Sequence, residues 1–183
     1  KINKLKKKKQ GALLIRAHGA PIKTFIKANE LGYEIIDATC PMVKEIHSIV
    51  KNMQDKGYKI IIIGDNKHEE VFGIAGQLSR KALVIENLGD ISPVKINHIR
   101  KACVVAQSTQ NLKKALKIVR ALKKYIPDLK FFNTICRPTR TKQEEIRNMP
   151  LNNDAMLIIG SKKSANTKRL YEISRSLNKN SHW

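Results

Sequence analysis

The sequence predicts an α/β fold in which related strand and helix units, with mainly parallel sheets, are arranged around a shared centre. Three observations carry this expectation. Apolar runs of strand length pass directly into glycine and polar residues, helical periodicities fill the intervals, and a strand–cysteine–helix pattern occurs at both Cys40 and Cys136, 96 residues apart. Strands alternating with helices imply right-handed βαβ units, and ligands in such sheets bind where strand carboxyl ends meet helix starts.

Taken in order, "ALLIRAHG" (12 to 19) reads as a buried parallel strand feeding a functional loop. "YEIIDATC" (33 to 40) is a strand whose cysteine opens a helix. In that helix Val43, Ile46, Val50 and Met53 recur at helical spacing, Pro41 suits the first position and Gly57 the stop. "KIIIIGDNKHEE" (59 to 70) is the second Gly-ended buried strand, and "ALVIE" (82 to 86) and "KACVVAQST" (101 to 109) add two more. "LKKALKIVRALKKY" (112 to 125) predicts a helix with Leu112, Leu116, Val119 and Leu122 on one face, ending before Pro127. "FFNTIC" (131 to 136) repeats the cysteine pattern, and "AMLIIGSKKSAN" (155 to 166) is the third Gly-ended strand. A helix follows Ser164 with Leu170, Ile173 and Leu177 inward, and Trp183 comes after "LNKNSH" with no closing element.

At 183 residues and 42% hydrophobic, the chain can build one ordinary core or two small ones. No stretch approaches the roughly 20 apolar residues of a spanning helix, and the start "KINKLKKKKQ" reads as a solvated run with no targeting core. Because the first residue is not methionine, the sequence reads as an excerpt of a longer chain. A net charge of +21 raises nucleic acid as a partner, but the excess is mostly lysine spread over many positions, and 5% aromatics leave few stacking platforms. A lysine-rich surface on an ordinary enzyme is the better reading. Cys40, Cys103 and Cys136 lie far apart, against a disulfide framework or a zinc site with paired ligands, and point to a reducing compartment.

Several residues are candidates for chemistry. A helix N-terminus favours the thiolate form of a cysteine, the form that attacks or binds metal, which singles out Cys40 and Cys136; Cys103, inside "ACVVA", reads as core. His18 in "RAHGAP" and His68 in "DNKHEEVFG" both fall at strand ends, where an anion is a natural partner. Glu70 is placed to deliver protons beside that anion site, with Glu69 as its rival and the residues alone leaving the choice open. Ser164 and Asn166 offer donors to phosphate at a helix start, or serve only as an ordinary cap. His47, His98 and His182 read as structural or solvent-exposed, and no P-loop or G-x-G-x-x-G pattern is present.

Taken together, "AHG" with His18, "DATCP" with Cys40, "HEEVFG" with His68 and Glu70, "NTIC" with Cys136 and "SANT" with Ser164 and Asn166 closely resemble the 4-hydroxy-3-methylbut-2-enyl diphosphate reductase (IspH/LytB) family. The motifs stand in the family's order from about residue 11 to the end. The resemblance implies reductive removal of an allylic hydroxyl, giving isopentenyl and dimethylallyl diphosphates, as the last step of the non-mevalonate isoprenoid pathway. It implies a 4Fe-4S cluster held by three cysteines, of which Cys40 and Cys136 match two. By the same resemblance His18, His68, Ser164 and Asn166 hold the diphosphate, Ser108 lies near the substrate hydroxyl in place of the usual threonine, and Glu70 supplies the proton.

Some positions depart from the family pattern. Ala165 replaces a common serine, at a cost of about 0.5 to 1.5 kcal/mol for one lost hydrogen bond, and Lys142 replaces a customary arginine. The family's first cluster cysteine and another diphosphate histidine precede the matching region, and a further serine follows it; Cys103 matches no ligand position. The expected layout is the end of a first α/β domain (1 to 40), a second (41 to 132) and the start of a third (133 to 183). Electrons are expected from ferredoxin or flavodoxin, with the enzyme in a bacterial cytoplasm or an organelle and no membrane partner. The alternatives are a remnant that keeps only a phosphate site, or a basic nucleic-acid-binding α/β module.

Overall fold

The computed structural model describes residues 11–183, so the lysine-rich start lies outside the described residues. The elements run β1 (Ala12–Ile15), α1 (Ile22–Glu30), β2 (Glu34–Asp37), α2 (Pro41–Asp55), β3 (Lys59–Ile63), α3 (Glu69–Ala75), β4 (Leu83–Ile85), α4 (Pro93–Ile96), β5 (Lys101–Ala106), α5 (Leu112–Leu122), β6 (Asp128–Phe132), α6 (Arg137–Asn148), β7 (Met156–Leu157), α7 (Ala165–Leu177) and β8 (Ser181–His182). The fold is α/β, and every strand pair is parallel. No described helix is long and apolar enough to cross a membrane.

The chain divides into two compact units. One comprises the described part of Lys1–Gln107 together with Lys117–Thr134, and the other Ser108–Leu116 with Ile135–Trp183. The first unit contains a four-stranded sheet of order β4-β3-β5-β6 and the two-stranded sheet β1-β2; the second contains β7-β8. In the four-stranded sheet β4 and β5 flank β3 on opposite sides, so the winding direction switches between β3 and β5. A crevice at the strands' carboxyl ends is expected there.

The core follows from the sequence pattern of this sheet. Ile60, Ile61, Ile62 and Ile63 are at most 3% exposed, as a strand covered on both faces requires. On one face α2 sets Ile46, Val50 and Met53, and α3 sets Val71 and Ile74, against Ile60, Ile62, Cys103 and Val105. Each fully buried aliphatic side chain contributes roughly 1.5–3 kcal/mol of transfer free energy. Pro41 starts α2 and Gly57 follows it at φ +78°, the left-handed backbone that glycine adopts without a steric penalty.

Five expectations are corrected. The first Gly-ended run is not a buried strand: in β1 only Ile15 is buried and Leu14 is 59% exposed, because a two-stranded sheet with β2 leaves most of its side chains uncovered. The buried stripe of α5 follows Ala115, Ile118, Val119 and Leu122, while Leu116 is exposed; small Ala115, absent from the predicted face, permits close approach. In α7 Leu170 and Ile173 pack on the small core of Ile146, Met156 and Ile158, but Leu177 at the last position is exposed. The third Gly-ended run is buried on one face only: Met156 and Ile158 are each 7% exposed, Leu157 71% and Ile159 87%. Its strand ends at Leu157 and pairs with β8, so the stretch before Trp183 does contain a closing element.

Candidate functional site

The first unit brings His18, His68 and Glu70 to the carboxyl ends of β1 and β3. Arg16 to Gly19 form a turn after β1, with the Gly19 amide donating to the Arg16 carbonyl at 2.9 Å and Gly19 at φ +72°. Helix α3 holds this turn close. A β-carbon on Gly76 would stand 2.3 Å from Pro21, so that position requires glycine for the approach, and one on Gly73 would stand a tight 3.1 Å from the His18 carbonyl. Gln77 donates to the Ala20 carbonyl at 2.7 Å, and Ile22 donates its amide to the Gly76 carbonyl at 3.0 Å.

As a result the two imidazoles meet edge to face, centroids 5.3 Å apart. His68 caps α3, its Nδ1 accepting from the Glu70 amide at 3.2 Å, which in the neutral ring places the proton on Nε2. His18 Nδ1 is enclosed without a hydrogen-bond partner and lies 3.7 Å from the Glu69 carboxylate. The two glutamates separate cleanly. Glu69 is exposed and engaged by the Arg16 guanidinium, whereas Glu70 is 2% exposed in the first turn of α3. Gln107, directly after β5, accepts the Asp65 amide at 3.0 Å, fixing the loop that follows β3 at the switch point.

Cys40 occupies the cap position of α2 with extended backbone (φ −55°, ψ 134°) and a half-buried thiol in no disulfide. The loop before it is tied by Asp37, which accepts from the amide and hydroxyl of Thr39 and from Lys44 at 2.7 Å. Desolvation favours the protonated Asp37, but the Lys44 ammonium and the Thr39 donors outweigh it and bring the pKa down to about 2. His47, one face of α2 further on, packs beneath Gly19, where a β-carbon would lie 2.7 Å from its ring. Burial, and then the charge of Lys51, push its pKa down to about 4 against the opposing pull of Asp37.

In the second unit Cys136 repeats the arrangement, capping α6 with φ −64° and ψ 147°. Its amide donates to the Ser108 carbonyl at 2.9 Å, which brings these two predicted residues together, and its Sγ lies 2.9 Å from the Thr139 hydroxyl. Ser164 caps α7, accepting from the Thr167 amide at 3.2 Å, and Asn166 Oδ1 is enclosed without a partner. Gly160 makes room for Thr167, since a β-carbon there would meet the threonine hydroxyl at 2.4 Å.

Cys103 is fully buried on β5, where desolvation pushes its thiol up to about 12; it is core. His98 and His182 are exposed. Among the described residues no group of three or more His, Cys, Asp or Glu converges as a metal site. Arg16, Gln107 and the Asp37–Thr39–Lys44 group join the site in the structure without being among the residues expected from sequence. Asp two residues before Thr is a recognisable Asx-turn signal and could have been found; nothing local marks Arg16 or Gln107.

A parallel α/β scaffold that sets an imidazole pair and a buried glutamate at strand ends in one unit, and a thiol at a helix start in each unit, presents groups of the kind that bind anions and ligate metals. The chain belongs to the LytB protein family, whose pattern matches residues 1–183. It is 37% identical over 165 residues to the 4-hydroxy-3-methylbut-2-enyl diphosphate reductase of Clostridioides difficile, covering 90% of this chain and 59% of that protein. The reductase of the same name from Aquifex aeolicus is 37% identical over 178 residues, covering 96% and 61%. The chain thus spans about three-fifths of the length of these relatives. Among solved structures, the E-1-hydroxy-2-methyl-but-2-enyl-4-diphosphate reductase from Plasmodium falciparum superposes with a TM-score of 0.88 at 26% identity, over 100% of this chain and 57% of that one. A second, (E)-4-hydroxy-3-methyl-but-2-enyl diphosphate reductase, the terminal enzyme of the non-mevalonate pathway, gives 0.68 at 36% identity, over 93% and 61%.

Proposed function

We propose that this chain serves the reductive dehydroxylation of 4-hydroxy-3-methylbut-2-enyl diphosphate to isopentenyl and dimethylallyl diphosphates, the last step of the non-mevalonate pathway. The reaction breaks the allylic C–O bond, takes up two electrons and two protons and releases water. The observation that carries the reading is the His18–His68 pair with Glu70 buried in the helix turn that His68 caps. Family membership and relatives of that activity support it.

The donor chemistry fits an iron–sulfur cluster. Cys40 and Cys136 are free thiols, neither fully buried, each at the start of a helix of at least twelve residues and each followed closely by proline. These two would be cluster ligands, with a third cysteine required from elsewhere in the polypeptide. Bound, a 4Fe-4S cluster supplies the electrons and a Lewis-acidic iron for the substrate hydroxyl. This chain's own residues do the rest. The imidazole N–H groups of His18 and His68 hold the diphosphate, joined by Ser164 and Asn166 at the start of α7. The Ser108 hydroxyl orients the substrate's hydroxyl, and Glu70, shielded from water, holds the proton that converts that hydroxyl into leaving water.

In this reading residues 1–40, 41–132 and 133–183 belong to three α/β domains, the enzyme works in the cytoplasm, and ferredoxin or flavodoxin delivers the electrons. A strongly basic surface would steer such acidic donors. Anaerobic reconstitution of the complete polypeptide with iron and sulfide tests the assignment. Cys40→Ser and Cys136→Ser should each lose bound iron while Cys103→Ser keeps it; equal losses from all three would count against the ligand set. Glu70→Gln should keep the cluster and slow turnover by about 10²–10⁴-fold.

A further inference from the structure

A cavity of about 330 Å³ lies at the other end of the central sheet, walled by Lys59, Arg80, Lys81, His98, Arg100 and Lys101. Lys59 and Lys101 are the first residues of β3 and β5, whereas His68 and Glu70 follow the carboxyl end of β3. The length of that strand, roughly 13 Å at about 3.3 Å per residue, separates the two places. Among the described residues no carboxylate lines the cavity. None of its five lysines and arginines forms a salt bridge among the described residues.

The cavity is organised as well as charged. Lys59 Nζ donates to the Lys81 carbonyl at 2.7 Å and Lys101 Nζ to the Lys56 carbonyl at 2.8 Å, contacts that orient an ammonium without cancelling its charge. Lys101 also lies 5.1 Å from the centroid of the Tyr58 ring, and the Tyr58 hydroxyl occupies the neighbouring Asp128 carboxylate at 2.6 Å. Ile60 and Ile99, both buried, also line it. Lys59 is half-buried and Arg80, Lys81, Arg100 and Lys101 are exposed, so five like charges border one concavity, and their summed field there attracts an anion.

We propose that this cavity is a binding site for a small polyphosphate anion, separate from the site at His18 and His68. Its volume falls at the lower end of the range for ligand sites and suits a di- or triphosphate, free or carried on a nucleoside. Calorimetric titration of the complete polypeptide with inorganic diphosphate, and in parallel with ATP, tests the proposal in the H18A/H68A background. That double variant should still bind at least one of the two probes, and adding R100E/K101E should weaken this binding by about tenfold or more. Tighter binding of ATP than of diphosphate would identify a nucleotide source, and the reverse a free polyphosphate. Should the charge reversals disturb folding, R100Q/K101Q carries the test with the same direction of effect. Absence of binding in H18A/H68A, or binding unchanged by either substitution pair, would overturn the proposal. So would retention of nucleic acid alone, with a steep salt dependence and no affinity for either probe.

Discussion

The four-stranded sheet and the β1-β2 pair are built on one local grammar, an apolar parallel strand followed by a polar loop and a helix, yet they differ in burial. Ile60 to Ile63 of β3 are at most 3% exposed, while Leu14 of β1 and Ile36 of β2 are 59% and 50% exposed. Both strands nevertheless deliver a histidine to the same place, with imidazole centroids 5.3 Å apart. The loop at a strand's carboxyl end is a local property that survives on a half-covered sheet. Burial is non-local, set by how many neighbouring elements cover each face.

Substitutions sharpen this contrast. Ile62→Ala in the centre of the large sheet should cost about 2–5 kcal/mol in urea unfolding, because the surrounding side chains cannot close the cavity. Gly76→Ala should cost about 1–3 kcal/mol, since its β-carbon would stand 2.3 Å from Pro21 and something must move. As α3 and the β1 turn shift apart, diphosphate affinity should fall with it, and an unchanged affinity would break the link drawn here between packing and the histidine pair.

Acid titration separates two groups near the β1-β2 pair. His47 has a folded pKa of about 4, below the usual 6.5, so the unfolded chain binds its proton first and stability should decline as pH falls from about 6.5 to 4. His47→Gln should flatten that interval. Asp37 has a folded pKa of about 2 against 3.8, so its contribution is complete above about 3.8 and is lost as pH falls toward 2. After solvent screening it is worth about 1 kcal/mol, and Asp37→Asn should remove it. The smallest effect is expected at Leu157, 71% exposed on β7, where alanine should change stability by less than about 0.5 kcal/mol.

What the sequence determined by itself is what short range controls. The caps Cys40, Cys136 and Ser164, the stop at Gly57, the buried stripe of α2 and the isoleucine run of β3 all follow from backbone geometry and periodicity over a few residues. Cys103 was legible as core for the same reason, an apolar neighbour on each side. Tertiary structure decided the remainder. Periodicity allowed two faces of α5, and only packing selected the one through Ala115 and Ile118. An apolar run does not reveal whether one face or two will be covered, which is why "AMLII" read as more buried than it is. Glu69 and Glu70 are equivalent in composition. The Arg16 guanidinium, 53 positions away, holds one at the surface while the start of α3 turns the other inward. The approach of His18 to His68, and the gathering of cations at the amino ends of β3 and β5, likewise join residues distant in the chain, and such contacts exist only once the sheet has brought them together.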